Sequence, residues 1–196
     1  SLGVLSDCNS ETIVHISNIN STKDIANVFL SSWKVPRSQR ANTISPMKSL
    51  NEKSKKMSRE NKMAGQEFLE QNKYNEGVRV FQRSQIQYKV IQQGSGRIPD
   101  FDDAVVVHYN GYFIDGTKFD SSYDRGEPAT FAVNGVIPGW QQILQKMPVG
   151  SKWKVFIPEN LGYGMSGVYK DAQKGEYIIP PSSTLVFDIE LLSIVE

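Results

Sequence analysis

The sequence predicts an α+β fold in which an antiparallel sheet is covered on one face by a single short helix. Three observations predict it. Beyond Gly77 the apolar residues recur with period two, as they do in half-buried strands. Asp115-Gly116 lies between two such runs and is a strong hairpin signal. Only one helical pattern, Pro138 to Lys146, interrupts the alternation, and one helix has room to cover only one sheet face.

The elements follow in order. Residues 1–44 read as a mixed leader segment. Thr12-Ile13-Val14-His15-Ile16 is weakly strand-like. Ser21 or Thr22 is placed to cap a short helix with Ile25, Val28, Phe29 and Trp33 on one face, ended by Pro36. Such a face suits the main body, another chain or a membrane surface; the plainer reading is a loosely ordered leader. Residues 45–77 read as a long connecting helix, with Ser45 as N-cap, Pro46 at the first helical position and Asn75-Glu76-Gly77 as its end. Met47, Leu50, Met57, Ala64 and Phe68 give it only a thin apolar stripe. Lys53, Lys55, Lys56 and Arg59 keep the rest in water. So narrow a stripe predicts a projecting rod that touches a domain only near Ala64–Leu69.

Residues 78–196 carry the sheet. Ile86 to Ile91 alternates before the Gly94-Ser95-Gly96 turn. Ala104 to Asp115 is a long strand, Thr117 to Phe119 begins its return, and Ala129 to Val133 is a short strand. The helix from Pro138 closes at Met147-Pro148-Val149-Gly150. Ser151 to Ile157 and Thr184 to Val195 complete the set.

Composition narrows the function. The 196 residues suffice for one well-buried domain and an appendage, with 39% hydrophobic and 22% charged residues. A net charge of +1 gives no electrostatic reason to expect nucleic acid. The single cysteine, Cys8, excludes an intrachain disulfide and a CxxC motif, and two separated histidines, His15 and His108, exclude a histidine-rich metal site. No run approaches the roughly 18 apolar residues of a membrane span. The chain opens on serine, as a trimmed or processed form would. Asn20-Ser21-Thr22 fits the glycosylation pattern, a motif short enough to arise by chance.

What remains is an aromatic set. Val107-His108-Tyr109, Lys118-Phe119-Asp120, Val136-Ile137-Pro138-Gly139-Trp140 and Gly162-Tyr163-Gly164 describe a dry pocket with one carboxylate and at least one phenol. Such a pocket has little means for covalent chemistry, but it suits amide rotation. That rotation must break amide resonance, at a barrier of about 18–20 kcal/mol. Before proline the two isomers are nearly equal in energy yet exchange slowly. A catalyst needs only to prefer the twisted amide to the planar one. In this reading Trp140 is the floor for a pyrrolidine ring, and Tyr109, Phe119 and Phe187 are walls. Val136 and Ile137 form the rim, and the Ile137 N–H meets a substrate carbonyl. Tyr163 offers a hydroxyl donor, and Asp120 is the one charge near the twisting bond. Each residue taken singly has a plainer role: Trp140, Tyr109 and Phe187 as core, Asp120 as a turn former, Tyr163 as a loop anchor and His108 as a satisfied structural histidine.

The joint pattern resembles the FK506-binding-protein family of peptidyl-prolyl cis-trans isomerases over about residues 86–196. Its carriers are Val107 to Gly111, Asp115 to Ser122, Val136 to Trp140, Gly162-Tyr163-Gly164, Ile178-Ile179-Pro180-Pro181 and Leu185-Val186-Phe187. The resemblance implies a five-stranded antiparallel half-barrel wrapped on a short helix. It implies catalytic roles for Asp120, Tyr163, Tyr109 and Phe119, and a substrate-binding set of Trp140, Val136, Ile137, Phe187, Ile179, Arg125 and Phe131. Arg125 then pairs near Asp120, and Ile179 stands on the pocket edge. The implied mechanism is noncovalent, with no metal and no cofactor. The implied partners are proline-containing peptides, unfolded proteins and macrolides such as FK506 or rapamycin.

Ala64-Gly65, Phe68-Leu69, Asn72, Gly77-Val78 and Gln87 to Ile91 further resemble the macrophage-infectivity-potentiator branch, which implies a secreted, periplasmic or surface-associated protein of the kind linked to virulence. Three departures stand out. Ala129 replaces a phenylalanine common in short members. Met165 to Tyr177 is a longer, charged loop expected to overhang the site. Residues 1–44 show no recognisable dimerisation domain, so a monomer is expected. A non-catalytic chaperone or docking module on the same fold is the alternative function.

Overall fold

The computed structural model describes residues 46–196. The strand-like segment at 12–16 and the short helix expected after Ser21 lie outside the described residues, as does the proposed cap Ser45. Helix α1 runs Pro46–Asn72. The strands are β1 (Val78–Val80), β2 (Gln87–Gln92), β3 (Ala104–Phe113), β4 (Lys118–Ser121), β5 (Ala129–Ala132), β6 (Lys152–Ile157), β7 (Val168–Asp171), β8 (Glu176–Ile179) and β9 (Leu185–Ile194). Two short helices, α2 (Ser122–Arg125) and α3 (Pro138–Leu144), fall among them. Among the described residues no helix is long and apolar enough to cross a membrane.

The main sheet is antiparallel, in the order β1-β2-β6-β9-β3-β4, with β5 also on β3. β4 and β5 pair with successive stretches of β3, at residues 110–112 and 104–107, so they act as one strand broken by α2. With the three-residue β1 set aside, the sheet has the five strands of the family half-barrel. Alternation fixes which face is inside. Val105, Val107 and Tyr109 are buried along β3, whereas Val106, His108 and Asn110 are only half-buried. On β9 the partners Ile189 and Phe187 face the same way, opposite Tyr109 and Gly111. Helix α3 lies on that inner face and buries Gly139, Trp140, Ile143 and Leu144.

Two expectations need correction. The 165–177 segment is not a plain loop. It contains the β7–β8 hairpin, held by stacking of Tyr169 on Tyr177 at 4.4 Å and by Asp171 Oδ1, which accepts the Gln173 and Lys174 amides. Its charged turn separates two short strand signals, Val168-Tyr169 and Tyr177-Ile178-Ile179. The thin apolar stripe of α1 predicts a projecting rod, yet the helix lies along the domain well before Ala64. Ser54 Oγ is 2.8 Å from the Tyr177 hydroxyl, and Ser58 Oγ is 2.7 Å from Ser182 Oγ. Asn61 Nδ2 donates to the Pro181 carbonyl at 2.9 Å. Phe68 meets Phe156 at 6.0 Å, and Asn72 Nδ2 donates to Gln87 Oε1 at 2.8 Å. Gln87 Nε2 in turn donates to the Leu69 carbonyl at 2.7 Å. These residues share one helix face at steps of three and four. The seam is polar and small, so hydrophobic periodicity does not register it.

Gly65 sits in that seam against Thr184, where an added methyl would run into the threonine side chain. In a free helix Gly→Ala gains about 1 kcal/mol. Here Gly65→Ala is expected to destabilise the protein by roughly 1–3 kcal/mol, as overpacking does. Urea unfolding measures this, and a variant more stable than the parent refutes the tight seam.

Candidate active site

Helix α3 begins with Pro138 at its first position, after Ile137 at the N-cap with φ −55° and ψ 150°. An N-cap amide has no place in the helical hydrogen-bond ladder. One residue after Gly139, Trp140 enters the barrel and meets three rings edge-on. Tyr109 and Phe187 are each 5.3 Å away, at interplanar angles of 88° and 89°, and Phe131 is 6.0 Å away at 84°. Phe119 stands edge-on to Phe187 at 5.7 Å and tilts against Phe113 at 4.8 Å. Val136, Ile137 and Ile179 belong to the same buried cluster. The fold therefore brings together the whole aromatic and aliphatic set expected of the site.

A polar network adjoins the cluster. Asp120, at the end of β4, accepts hydrogen bonds from the Tyr109 hydroxyl and from Arg125 Nη1, and its Oδ1 also accepts the Ser121 amide at 2.9 Å. Arg125 Nη2 donates to the Tyr109 oxygen at 2.9 Å. The Arg125 and Asp120 side chains are only 8% and 2% exposed, so the charges are held in a nearly dry place. Helix α2 supplies the arginine. Ser121 caps it by accepting the Asp124 amide, and Gly126 ends it in the left-handed region at φ 75°. Burial, reinforced by the Asp120 carboxylate, pushes the Tyr109 phenol far above its ordinary range. Burial works against the Arg125 charge, but Tyr109 and Asp120 outweigh it. Arg125 thus pairs with Asp120, as the resemblance implies. Asp120 is half of an ion pair with both oxygens engaged, suited to fixing the Tyr109 hydroxyl rather than to moving protons.

The sequence also expects an open hollow above Trp140. In the structure the indole is sealed: Trp140, Val136 and Ile137 are 0% exposed and Tyr163 is 7% exposed. The surrounding rings stand nearly perpendicular to the indole, and burial of this apolar surface is favourable. Yet among the described residues Trp140 Nε1 and the Tyr163 hydroxyl are buried with no hydrogen-bond partner. Burial holds the Tyr163 phenol well above its usual range, with Tyr109 and Asp120 adding to the shift. Each such orphan costs about 1–3 kcal/mol. Trp153 Nε1 is a third orphan, in a separate stack with Tyr88 at 4.8 Å.

Sequence reasoning missed Ser122. It is fully buried, and its Oγ accepts the Tyr109 amide at 2.7 Å and lies 2.8 Å from His108 Nδ1. Its sequence signal is its place at the end of the Asp115 to Ser122 motif. His108, stacked on Tyr123 at 4.4 Å, has the structural role expected of it.

A family model described as FKBP-type peptidyl-prolyl cis-trans isomerase matches residues 95–192, half of the chain. The chain belongs to this family. A second model, the domain amino-terminal to FKBP-type peptidyl-prolyl isomerase, matches residues 21–90. The chain is 54% identical over 130 residues to the FKBP-type 22 kDa peptidyl-prolyl cis-trans isomerase of Escherichia coli, covering 66% of this chain and 59% of that protein. It is 46% identical over 139 residues to the outer membrane protein MIP of Legionella longbeachae, covering 71% and 56%. The match therefore spans little more than half the length of either relative. The crystal structure of FkpA from Escherichia coli superposes with a TM-score of 0.67 at 40% identity, covering 76% of this chain and 65% of that one. The FKBP-type fold, in its Mip-like branch, is thus established for the described residues.

Of the eight tyrosines, burial raises Tyr109, Tyr123, Tyr163 and Tyr169, the last to about 12. A raised phenol contributes stability that is complete below the unfolded value of about 10 and is lost as pH climbs towards the folded values. Alkaline titration of phenolate absorbance is expected to show Tyr109 and Tyr163 ionising only as the fold opens. Ionisation of Tyr109 and Tyr163 at about pH 10 with the fold intact contradicts this burial.

Proposed function

We propose that this chain accelerates cis-trans rotation about X-Pro bonds in proline-containing peptides and unfolded proteins. The observation that carries the reading is a pair of buried donors without partners among the described residues, Trp140 Nε1 and the Tyr163 hydroxyl, in an aromatic cluster beside the Tyr109–Asp120–Arg125 network. Family membership, and relatives named as peptidyl-prolyl isomerases, support the same reading.

On binding, the aromatic edges part and a pyrrolidine ring settles on Trp140, between Tyr109, Phe119, Phe131 and Phe187. Val136 and Ile179 close its sides, and the Ile137 amide holds a neighbouring substrate carbonyl. The enclosure disfavours the planar amide, whose larger dipole loses more on leaving water than the twisted form does. Tyr163 donates to the amide carbonyl and gains the acceptor it lacks among the described residues. The Asp120–Arg125 pair holds Tyr109 in place through its hydroxyl, so Asp120 acts by position and no proton is exchanged. Macrolides of the FK506 and rapamycin type occupy the same hollow. The relative named as an outer membrane protein supports an envelope or surface location, which fractionation of the source cells tests.

Tyr163→Phe separates site from core. Removing a buried hydroxyl without a partner is expected to stabilise the fold by about 1 kcal/mol. The same change is expected to lower kcat/KM on an X-Pro peptide about tenfold, equivalent to about 1.4 kcal/mol. A protease-coupled assay and a thermal melt measure the two effects, and full activity in the variant refutes the donor role.

A further inference from the structure

Residues 163–184 form one continuous flap that carries both Tyr163 and Ile179. The flap is tied to itself close to Tyr163. The Gly167 amide donates to the Tyr163 carbonyl at 3.2 Å, and the Ser182 amide donates to the Gly164 carbonyl at 2.7 Å. At Gly167, φ is 59°, and an added methyl would strike the Ile179 carbonyl and the Pro180–Pro181 backbone. Ser182 is fully buried and holds φ 56°, a left-handed conformation that a non-glycine residue keeps only when its surroundings impose it.

What imposes it comes from α1. Ser58 Oγ bonds Ser182 Oγ, and Asn61 donates to the carbonyl of the preceding residue, Pro181. Ser54 reaches Tyr177 and Gly65 packs on Thr184. Four successive steps of the helix face therefore land on the flap. The last steps, Phe68 and Asn72, land instead on β6 and β2, at Phe156 and Gln87.

We infer that α1 is a positioning element of the catalytic site, in which Ser58 and Asn61 set the places of Tyr163 and Ile179 through Ser182 and Pro181. The inference rests on the rotamase reading above. Neither residue touches the reacting bond. Without Ser58 and Asn61 the strained Ser182 is released, and its amide no longer fixes the Gly164 carbonyl beside Tyr163. A donor displaced by about 1 Å loses up to about a hundredfold in rate.

The test uses the full chain. Ser58→Ala/Asn61→Ala is expected to lower kcat on an X-Pro tetrapeptide about tenfold with KM within about twofold, since the lost contact belongs to the transition state. Asn72→Ala loosens the same helix away from the flap and is expected to cost stability while leaving kcat unchanged. Unchanged kcat in the double variant, or an equal loss in Asn72→Ala, overturns the inference and leaves the rotamase reading standing. A parent chain inactive on X-Pro peptides overturns that reading. The positioning is then decided by the Tyr163 ring resonances, which are expected to move in Ser58→Ala/Asn61→Ala and not in Asn72→Ala. The single Ser58→Ala serves where the double variant does not fold, and unmoved Tyr163 resonances in it overturn the inference.

Discussion

The structure depends on what one seven-residue helix must accomplish. Helix α3 packs on the inner face of the main sheet and buries Trp140, Ile143 and Leu144 in its core. Trp140 is held by Tyr109 from β3, Phe131 from β5 and Phe187 from β9, all edge-on. Edge-on packing sets the positive rim of one ring against the negative face of another, so three rings crowd the indole without face-to-face repulsion. These strands converge on Trp140, so the core of the domain and its candidate site are built from the same atoms. That identity accounts for two of the three orphaned donors, Trp140 Nε1 and the Tyr163 hydroxyl. A core selected only for stability would give Nε1 an acceptor or replace the indole with an apolar ring.

The ion pair follows from the same economy of elements. A buried carboxylate beside aromatic rings needs a partner, because an isolated charge there is far more costly than a paired one. The fold supplies Arg125 by breaking the strand opposite β3 and inserting α2 between β4 and β5. The interruption brings a guanidinium back to a carboxylate five residues earlier while β5 still completes the sheet. Both groups converge on the Tyr109 hydroxyl. The tyrosine that walls the cluster is therefore fixed at both ends, by Trp140 against its ring and by the pair at its oxygen.

Much of this was legible in the sequence, for identifiable reasons. Period-two alternation marked β3, β6 and β9, since each has one buried and one half-buried face. Pro138 marked the start of α3, and the aromatic residues around it marked the cluster because so many rings at such spacing need one enclosure. The closed state of the cluster was not legible, because residue types do not specify whether aromatic edges meet. Nor was Ser122, whose value lies in a buried bond to the Tyr109 backbone across the sheet. The β7–β8 hairpin escaped because Lys170 to Glu176 reads as a solvated loop, while its pairing depends on Tyr169 and Tyr177 stacking.

The misreading of α1 comes from a different cause. Hydrophobic periodicity asks where a helix is greasy, and the face that packs here is Ser54, Ser58, Asn61, Gly65, Phe68 and Asn72. Only Phe68 is strongly apolar. A greasy face would hold the helix in several registers, because dispersion and burial depend weakly on which methyl meets which. A face of hydroxyls and amides holds it in one. Sliding by a turn would separate Ser58 from Ser182, Asn61 from Pro181 and Asn72 from Gln87, and would leave buried polar groups without partners. The polar seam trades binding strength for register, and register is what a helix needs if the position of the flap beneath it matters.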